Sequence, residues 1–159
     1  RDKLKPNSVY GYTKSLQSII VNKYYSLFKN EILLLRIFNL SGDIINKDTI
    51  IGKVNNFILK NKNKKNKKIL KLGDLSSKRD YIDVSRASNI AANLIFKKKI
   101  GIYNLGSGKV TLIRDMIYRS IKRYKGLSFK ELNNKFHKNE ALYICADLTK
   151  LKKALNEKN

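Results

Sequence analysis

Tyr10-Gly11-Tyr12-Thr13-Lys14 places a phenol and an ammonium four residues apart at the start of a predicted helix. Apolar residues continue at helical spacing from residue 9 to residue 29, so the two side chains share one face of that helix. The ammonium charge favours the phenolate form of the tyrosine through their Coulomb interaction. A tyrosine paired in this way can pass a proton to or from a hydroxyl or carbonyl group.

The context of this pair matters, because the same spacing recurs at Tyr25/Lys29 and Tyr118/Lys122. The helix of the first pair is followed by the short apolar run Ile32 to Phe38. Such a run is typical of a strand that is buried on both faces of a parallel sheet. A helix followed by such a strand predicts half of a doubly wound α/β unit.

The rest of the chain alternates predicted helices and short strands. Helices are predicted at 49–60, 85–97 and 111–124, and strands at 69–72, 103–105 and 142–145. Asp48 or Thr49 is expected to cap the first of these helices, and Asp147 a further helix near residue 150. Residues 125–141 carry no clear pattern. Residues 60–68 are almost all lysine and asparagine, which predicts a solvated surface loop.

Three further segments complete an ordered series with the tyrosine–lysine pair. They are Arg36-Ile37-Phe38-Asn39-Leu40-Ser41-Gly42, the run from Leu72 to Val84 that contains Arg79-Asp80-Tyr81, and Tyr103-Asn104-Leu105-Gly106-Ser107-Gly108. In this order the chain resembles the extended short-chain dehydrogenase/reductase family, the NAD-dependent epimerases and dehydratases of nucleotide sugars. The Leu72–Val84 run is most similar to the branch of GDP-mannose dehydratases and GDP-keto-deoxymannose reductases.

The resemblance implies an α/β fold, the C-terminal part of a Rossmann-like doubly wound parallel sheet with a small mixed α/β substrate-binding lobe. Residues 1–48 would belong to the dinucleotide-binding domain. Residues 49–159 would form mainly the lobe, with some segments returning to the sheet. The family's glycine-rich pyrophosphate turn and its catalytic serine or threonine have no match here. We therefore expect this chain to be the C-terminal half of such an enzyme, inactive by itself.

The resemblance also implies roles for five side chains. Tyr10 would be the acid/base, Lys14 would hold the nicotinamide ribose, and Phe38 would flank the nicotinamide. Asn39 would hydrogen-bond the nucleotide-diphosphate sugar. Arg79 would clamp its diphosphate, for which a planar guanidinium is suited. The cofactor would be NAD or NADP, and the complete enzyme would be a homodimer.

Structural explanations remain open beside these roles. Phe38 and Asn39 could simply end a strand, and Arg79 could pair with Asp80 or Asp83. Asp83 is expected to cap the helix that follows it. A metal site is not expected, because the chain has 1 histidine, which is His137.

Composition leaves a second class of function open. The formal net charge is +23 over 159 residues, and lysine supplies most of the excess. Such a charge suits a non-catalytic basic protein that binds a polyanion or nucleic acid. The joint abundance of lysine, asparagine and isoleucine favours a genome-wide codon bias instead, so no specific nucleic-acid partner is expected.

Three features bear on location. No apolar run approaches the roughly 20 residues that span a bilayer, so no membrane partner is expected. The start carries no signal-peptide pattern. The 1 cysteine, Cys145, lies in a predicted apolar strand and is expected to be inert core. A single cysteine fits a reducing compartment, and we expect a cytoplasmic protein.

Overall fold

Helices and strands alternate along the chain, as the sequence pattern predicts. The computed structural model describes residues 6, 8–28, 31–42, 46–64, 66–132 and 141–156. These residues form, in order, α1 (Val9–Phe28), β1 (Leu33–Ile37), β2 (Asn39–Ser41), α2 (Ile50–Asn61), β3 (Lys68–Leu72), β4 (Lys78–Asp83), α3 (Val84–Phe96), β5 (Gly101–Leu105), β6 (Val110–Leu112), α4 (Ile113–Ile121), β7 (Leu127–Glu131), β8 (Tyr143–Ile144) and α5 (Thr149–Leu155).

The apolar strand β1 pairs in parallel with β5, from Leu33 opposite Gly101 to Ile37 opposite Leu105. One face of this pair packs on α3 and α5, where Leu94 and Leu151 are buried against β-strand side chains. A parallel strand pair under helices confirms the α/β class and the parallel strand predicted at Ile32 to Phe38.

A second group of strands is mixed. β2 runs parallel to β4, β6 pairs antiparallel with β4, and β8 pairs parallel with β4. β3 and β7 form a separate parallel pair. Val54 and Ile58 of α2 and Ile117 and Ile121 of α4 share a second hydrophobic core with Leu72. The fold therefore has two apolar cores.

Two predicted helix caps are present. The Thr49 hydroxyl accepts the backbone N–H of Gly52 at 3.0 Å and begins α2. A carboxylate oxygen of Asp83 accepts the backbone N–H of Arg86 at 3.1 Å and begins α3. Both bonds satisfy an N–H group that the first turn of a helix leaves without an intrahelical partner.

The cap predicted at Asp147 is wrong by one position. Leu148 occupies the N-cap of α5, and no side chain caps that helix. Asp147 lies one residue earlier, where its carboxylate accepts the backbone N–H of Thr149 at 3.0 Å and its hydroxyl at 2.7 Å. The carboxylate therefore bonds to groups of a residue two positions later in the chain. Such local hydrogen bonds of aspartate compete with helix capping.

Three element boundaries also differ from the prediction. The helix expected at 111–124 is shorter, because Val110–Leu112 pairs as a strand with β4 before α4 begins. The segment without a pattern contains β7, whose Leu127 faces the core while Ser128 is exposed. The lysine-rich loop is shorter than 60–68, since α2 continues to residue 61 and β3 begins at residue 68.

α1 confirms the predicted helix, but the apolar residues of this helix are not buried. Leu16, Ile20 and Phe28 are 55%, 64% and 60% exposed, and α1 has no buried residue. The β1–β5 sheet beneath it has 2 strands. Two strands span only about 10 Å, which is no wider than a helix with its side chains. Such a sheet covers one side of α1 and leaves the rest of its apolar surface uncovered.

Candidate functional site

Tyr10 and Lys14 occupy adjacent turns at the start of α1. The Nζ of Lys14 lies 5.6 Å from the centre of the Tyr10 ring and donates a hydrogen bond to Oε1 of Gln17 at 3.2 Å. The Ser8 hydroxyl accepts the backbone N–H of Gly11 at 3.1 Å and orders the first turn. The phenol of Tyr10 stays open to a ligand, with the residue 72% exposed.

Both side chains line a cavity of about 480 Å³ between α1 and β1, called here the Tyr10 cavity. The lining residues on α1 are all polar, and those on β1 are one arginine and three apolar residues. They are Tyr10, Lys14, Ser15, Gln17 and Ser18 on α1, and Leu34, Leu35, Arg36 and Ile37 on β1. The cavity therefore combines donors from both elements with a partly apolar wall.

A second pair shows that spacing alone does not define a site. Lys122 Nζ lies 5.5 Å from the centre of the Tyr118 ring, almost the same distance as in the first pair. Tyr118 is 58% exposed near the end of α4 and does not line the Tyr10 cavity. What separates the two pairs is the cavity, which only the tertiary packing of α1 on β1 creates.

A second cavity of about 450 Å³, called here the Asn39 cavity, lies at the carboxyl end of β1. Phe38, Asn39, Thr49, Tyr81 and Val84 are among its lining residues, and Ile37 lines both this cavity and the Tyr10 cavity. The chain passes there from the β1–β5 sheet to the β2–β4 sheet. In open α/β sheets, the space beyond the carboxyl ends of the strands is where ligands bind.

Phe38 and Asn39 are held by hydrogen bonds from the neighbouring strands. The backbone N–H of Phe38 donates to the carbonyl of Leu105 at 2.9 Å. Nδ2 of Asn39 donates to the backbone carbonyl of Asp80 at 3.1 Å. The structure thus brings two of the five predicted site residues together in one cavity, next to the cavity that contains Tyr10 and Lys14.

Arg79 lines neither of these two cavities. It lies half-buried in β4, where Nη1 donates to the carbonyl of Lys78 at 3.1 Å. Burial raises the pKa of Tyr81, and the nearby Arg79 guanidinium opposes part of that rise. Arg79 is therefore close to a residue of the Asn39 cavity. In the described residues it forms no ion pair with Asp80 or Asp83.

Sequence reasoning gave no role to Asp80, which is fully buried. Its carboxylate accepts hydrogen bonds from Ser107, Gly108 and Ala146. Burial raises the pKa of this carboxyl, but the hydrogen bonds from these residues outweigh it and hold the pKa below its ordinary value. A carboxylate inside a strand, followed far along the chain by a Gly-Ser-Gly turn, is the sequence signal that could have found it.

Two other predictions concern Cys145 and His137. Cys145 follows β8 and is partly exposed beside a third cavity, so its expected place in the core is wrong. β8 itself is exposed, with Tyr143 at 60% and Ile144 at 37%, so this strand is not part of a core. His137 lies outside the described residues. No group of metal-ligating side chains occurs in the parts of the chain that the structure describes.

The family is defined by similarity along nearly the whole chain. A family model described as GDP-mannose 4,6 dehydratase matches residues 1–156. The chain therefore belongs to the GDP-mannose 4,6 dehydratase family, which confirms the resemblance. A UDP-glucuronate 4-epimerase from Thermodesulfobacterium geofontis is 30% identical over 155 residues, which are 95% of this chain and 45% of that protein.

Solved structures show the same fold. RMD from Pseudomonas aeruginosa, complexed with NADPH, superposes with a TM-score of 0.83 at 20% identity, covering 97% of this chain and 52% of that one. A dTDP-glucose 4,6-dehydratase from Bacillus anthracis, in complex with NAD, has a TM-score of 0.77 at 19% identity, covering 97% of this chain and 48% of that one.

These matches confirm the Rossmann-like part of the fold prediction. The chain spans about half the length of the relatives it matches. The division at residue 48 stays a prediction. Among the described residues, no helix combines the length and the apolar character needed to cross a bilayer.

Proposed function

We propose that this chain carries the proton-transfer residues and part of the substrate site of an NAD(P)-dependent nucleotide-sugar epimerase, dehydratase or reductase. The observation that carries the proposal is the placement of Tyr10 and Lys14 in one cavity, with Phe38 and Asn39 in the next. Membership of the GDP-mannose 4,6 dehydratase family supports it. The relative with 30% identity is itself named as acting on a UDP-sugar.

The lining of the Tyr10 cavity fits a nicotinamide riboside. Lys14 and the serine and glutamine side chains of α1 offer hydrogen-bond partners for ribose hydroxyls, and β1 contributes three apolar residues together with Arg36. Phe38 lies one residue beyond Ile37, which lines both cavities, and its ring could flank a flat heterocycle. NADPH and NAD occupy two of the structural neighbours. When bound, this cofactor supplies hydride exchange at a sugar carbon.

The chain's own residues supply the proton transfer. The exposed phenol of Tyr10 can take a proton from a sugar hydroxyl or return one to a sugar carbonyl. The Lys14 ammonium lies 5.6 Å from the Tyr10 ring centre and donates one hydrogen bond to Gln17. Its remaining N–H donors can bind the ribose and orient the ring that faces the sugar.

The Asn39 cavity would bind the nucleotide sugar. Asn39 offers an amide hydrogen bond, and Arg79, close to Tyr81 of the same cavity, offers a guanidinium suited to a diphosphate. A homodimer of the complete enzyme remains part of this proposal.

Activity of the full gene product tests the proposal. With NAD(P) and a panel of UDP-, GDP- and dTDP-sugars, we expect turnover that Tyr10→Phe lowers by about 10²- to 10⁴-fold, the usual contribution of a positioned acid/base. Tyr118→Phe is the matched control, because its tyrosine and lysine have the same spacing and nearly the same separation without the cavity.

Equal turnover by wild type and Tyr10→Phe would contradict the assigned role of Tyr10. Absence of turnover with every sugar and both cofactors in the wild-type protein would contradict the proposed function itself.

A further inference from the structure

Asp80 connects its own strand, β4, to two segments that are distant in sequence, the turn that contains Ser107 and Gly108 and the segment that contains Ala146. Its Oδ1 accepts the backbone N–H of Ser107 at 2.8 Å and the Ser107 hydroxyl at 2.6 Å. Its Oδ2 accepts the backbone N–H groups of Gly108 at 2.9 Å and of Ala146 at 3.1 Å. Each oxygen of this fully buried carboxylate therefore has two donors, which offset the loss of its hydration.

The turn after β5 approaches Asp80 so closely that a side chain would not fit. A Cβ at Gly106 would lie 2.8 Å from Oδ2 of Asp80 and 2.6 Å from Cβ of Ala146. Real Cβ contacts of this length with backbone-anchored atoms do not occur without a shift of the chain. The position of the turn is thus set by the carboxylate that it surrounds.

The same residue and the same turn hold Phe38 and Asn39, two of the lining residues of the Asn39 cavity. Nδ2 of Asn39 donates to the backbone carbonyl of Asp80 at 3.1 Å. The N–H of Phe38 donates to the carbonyl of Leu105, which directly precedes the glycine of the turn. A shift of Asp80 or of the turn would therefore move the groups that hold Phe38 and Asn39.

Asp80 acts from outside the cavity. Successive side chains of a strand point to opposite faces, so Asp80 points away from the face that carries Arg79 and Tyr81. Tyr81 lines the Asn39 cavity, whereas Asp80 is absent from its lining. The carboxylate therefore does not contact a ligand in that cavity.

We propose that Asp80 is a positioning residue, which fixes Phe38 and Asn39 at the Asn39 cavity through its carbonyl and through the turn at residues 106–108. The inference rests on the proposed function only in that these two residues would contact cofactor and nucleotide sugar. The placement itself is independent of any activity.

The test uses Asp80→Asn in the full gene product. An amide keeps the size of the carboxylate but turns an N–H₂ group toward two of the N–H donors, so the turn is expected to move. We expect KM for the nucleotide sugar to rise about tenfold with a smaller change in kcat, because displaced binding groups weaken binding. We also expect the side-chain amide resonances of Asn39 to shift in ¹⁵N-edited NMR spectra.

Asp83→Ala is the control for a merely structural role, because asparagine caps a helix about as well as aspartate, whereas alanine removes the cap. Asp83 lies on the same strand, is exposed and caps α3, so its substitution is expected to lower stability without moving KM or the Asn39 resonances. If Asp80→Asn also loses stability with KM and the Asn39 resonances unchanged, the proposal is overturned.

A second variant keeps the proposal testable if Asp80→Asn does not fold. Ser107→Ala removes the 2.6 Å hydroxyl bond to Asp80, together with the bonds of the same hydroxyl to the Lys109 backbone, and leaves the three backbone donors to Asp80. Shifted Asn39 resonances in Ser107→Ala would support the proposal, and unchanged ones would overturn it. A protein with no turnover at all, in which the Asn39 resonances still respond, would contradict the proposed function and support the role of Asp80.

Discussion

Asp80 shows how a buried charge can stabilise a fold at the scale of one residue. An isolated carboxylate loses much of its hydration on burial, and this raises its pKa. Here the donors of Ser107, Ala146 and Gly108 outweigh that effect, and the pKa lies below its ordinary value of 3.8. The carboxylate is thus stabilised in its charged form by groups that only the folded chain assembles.

A pH dependence of stability follows from this lowered pKa. A group with a lower pKa in the folded state contributes stability above its unfolded pKa, and loses it as the pH falls through its folded pKa. We expect the free energy of unfolding of the wild type to fall with acidification below about pH 5. Asp80→Asn should be less stable at neutral pH and lose less stability on acidification, as measured by urea unfolding at several pH values.

Asp115→Asn serves as the control, because Asp115 is exposed on α4, whereas Asp80 is fully buried. Acid sensitivity that is the same in Asp80→Asn and in the wild type would refute the assignment.

At the scale of elements, the helices owe their boundaries to local bonds and their positions to packing. α2 begins where the Thr49 hydroxyl accepts the N–H of Gly52, and it buries Val54 and Ile58 against α4 and β3. α1 has an ordered first turn at Ser8 but no buried side chain. A helix can therefore have an ordered, capped first turn without burying any side chain in a core.

Loss of the Thr49 hydroxyl tests the cap of α2. Thr49→Ala is expected to lower the free energy of unfolding by about 1 kcal/mol, because a first-turn N–H loses its partner. Asp48→Ala is the matched control, since Thr49 and not the adjacent Asp48 caps the helix. Chemical denaturation measures both. Equal losses in the two variants would show that the threonine hydroxyl is not the cap that matters.

At the scale of the whole molecule, the described residues form two apolar cores. One core surrounds α3, α5 and the β1–β5 pair, and the other surrounds α2, α4 and β3. Phe38 is the single residue between β1 and β2. Residues of both sheets therefore line the Asn39 cavity, with a single residue connecting β1 to β2.

The net charge of +23 is a whole-molecule property with its own test. If the lysine excess reflects codon bias, binding of duplex DNA by the full gene product should be nonspecific, with Kd of about 10⁻⁴ to 10⁻⁶ M at physiological salt, and should weaken steeply as salt rises. Filter binding at two salt concentrations measures this. Substituting the exposed lysines Lys62, Lys64 and Lys67 by glutamine should leave turnover of nucleotide sugars unchanged, since they line neither site cavity.

Sequence-selective binding that survives physiological salt and is lost on this substitution would favour the alternative, a basic binding protein. At that ionic strength, salt screens the interactions of exposed charges over about 8 Å. Binding by exposed lysines that survives physiological salt is therefore a stringent criterion.

Local signals in the sequence were enough to predict most elements and to place Tyr10 and Lys14 in one helix. The spacing of apolar residues predicted α1, α2 and α3. Thr49 and Asp83 predicted where two helices begin, because a cap bonds to an N–H group only three residues away. No strand was predicted at β2, β4, β6 or β7, because short strands are defined by partners elsewhere in the chain: β4 for β2 and β6, and β3 for β7.

Tertiary structure decided the rest of the site. The tyrosine–lysine spacing occurs at Tyr118 with nearly the same geometry, and only the packing of α1 against β1 gives the Tyr10 pair a cavity. Asp80 gained its role because donors 27 to 66 residues away close around it. Periodicity and capping act over a few residues along the chain, whereas a buried carboxylate finds its donors only in the folded state.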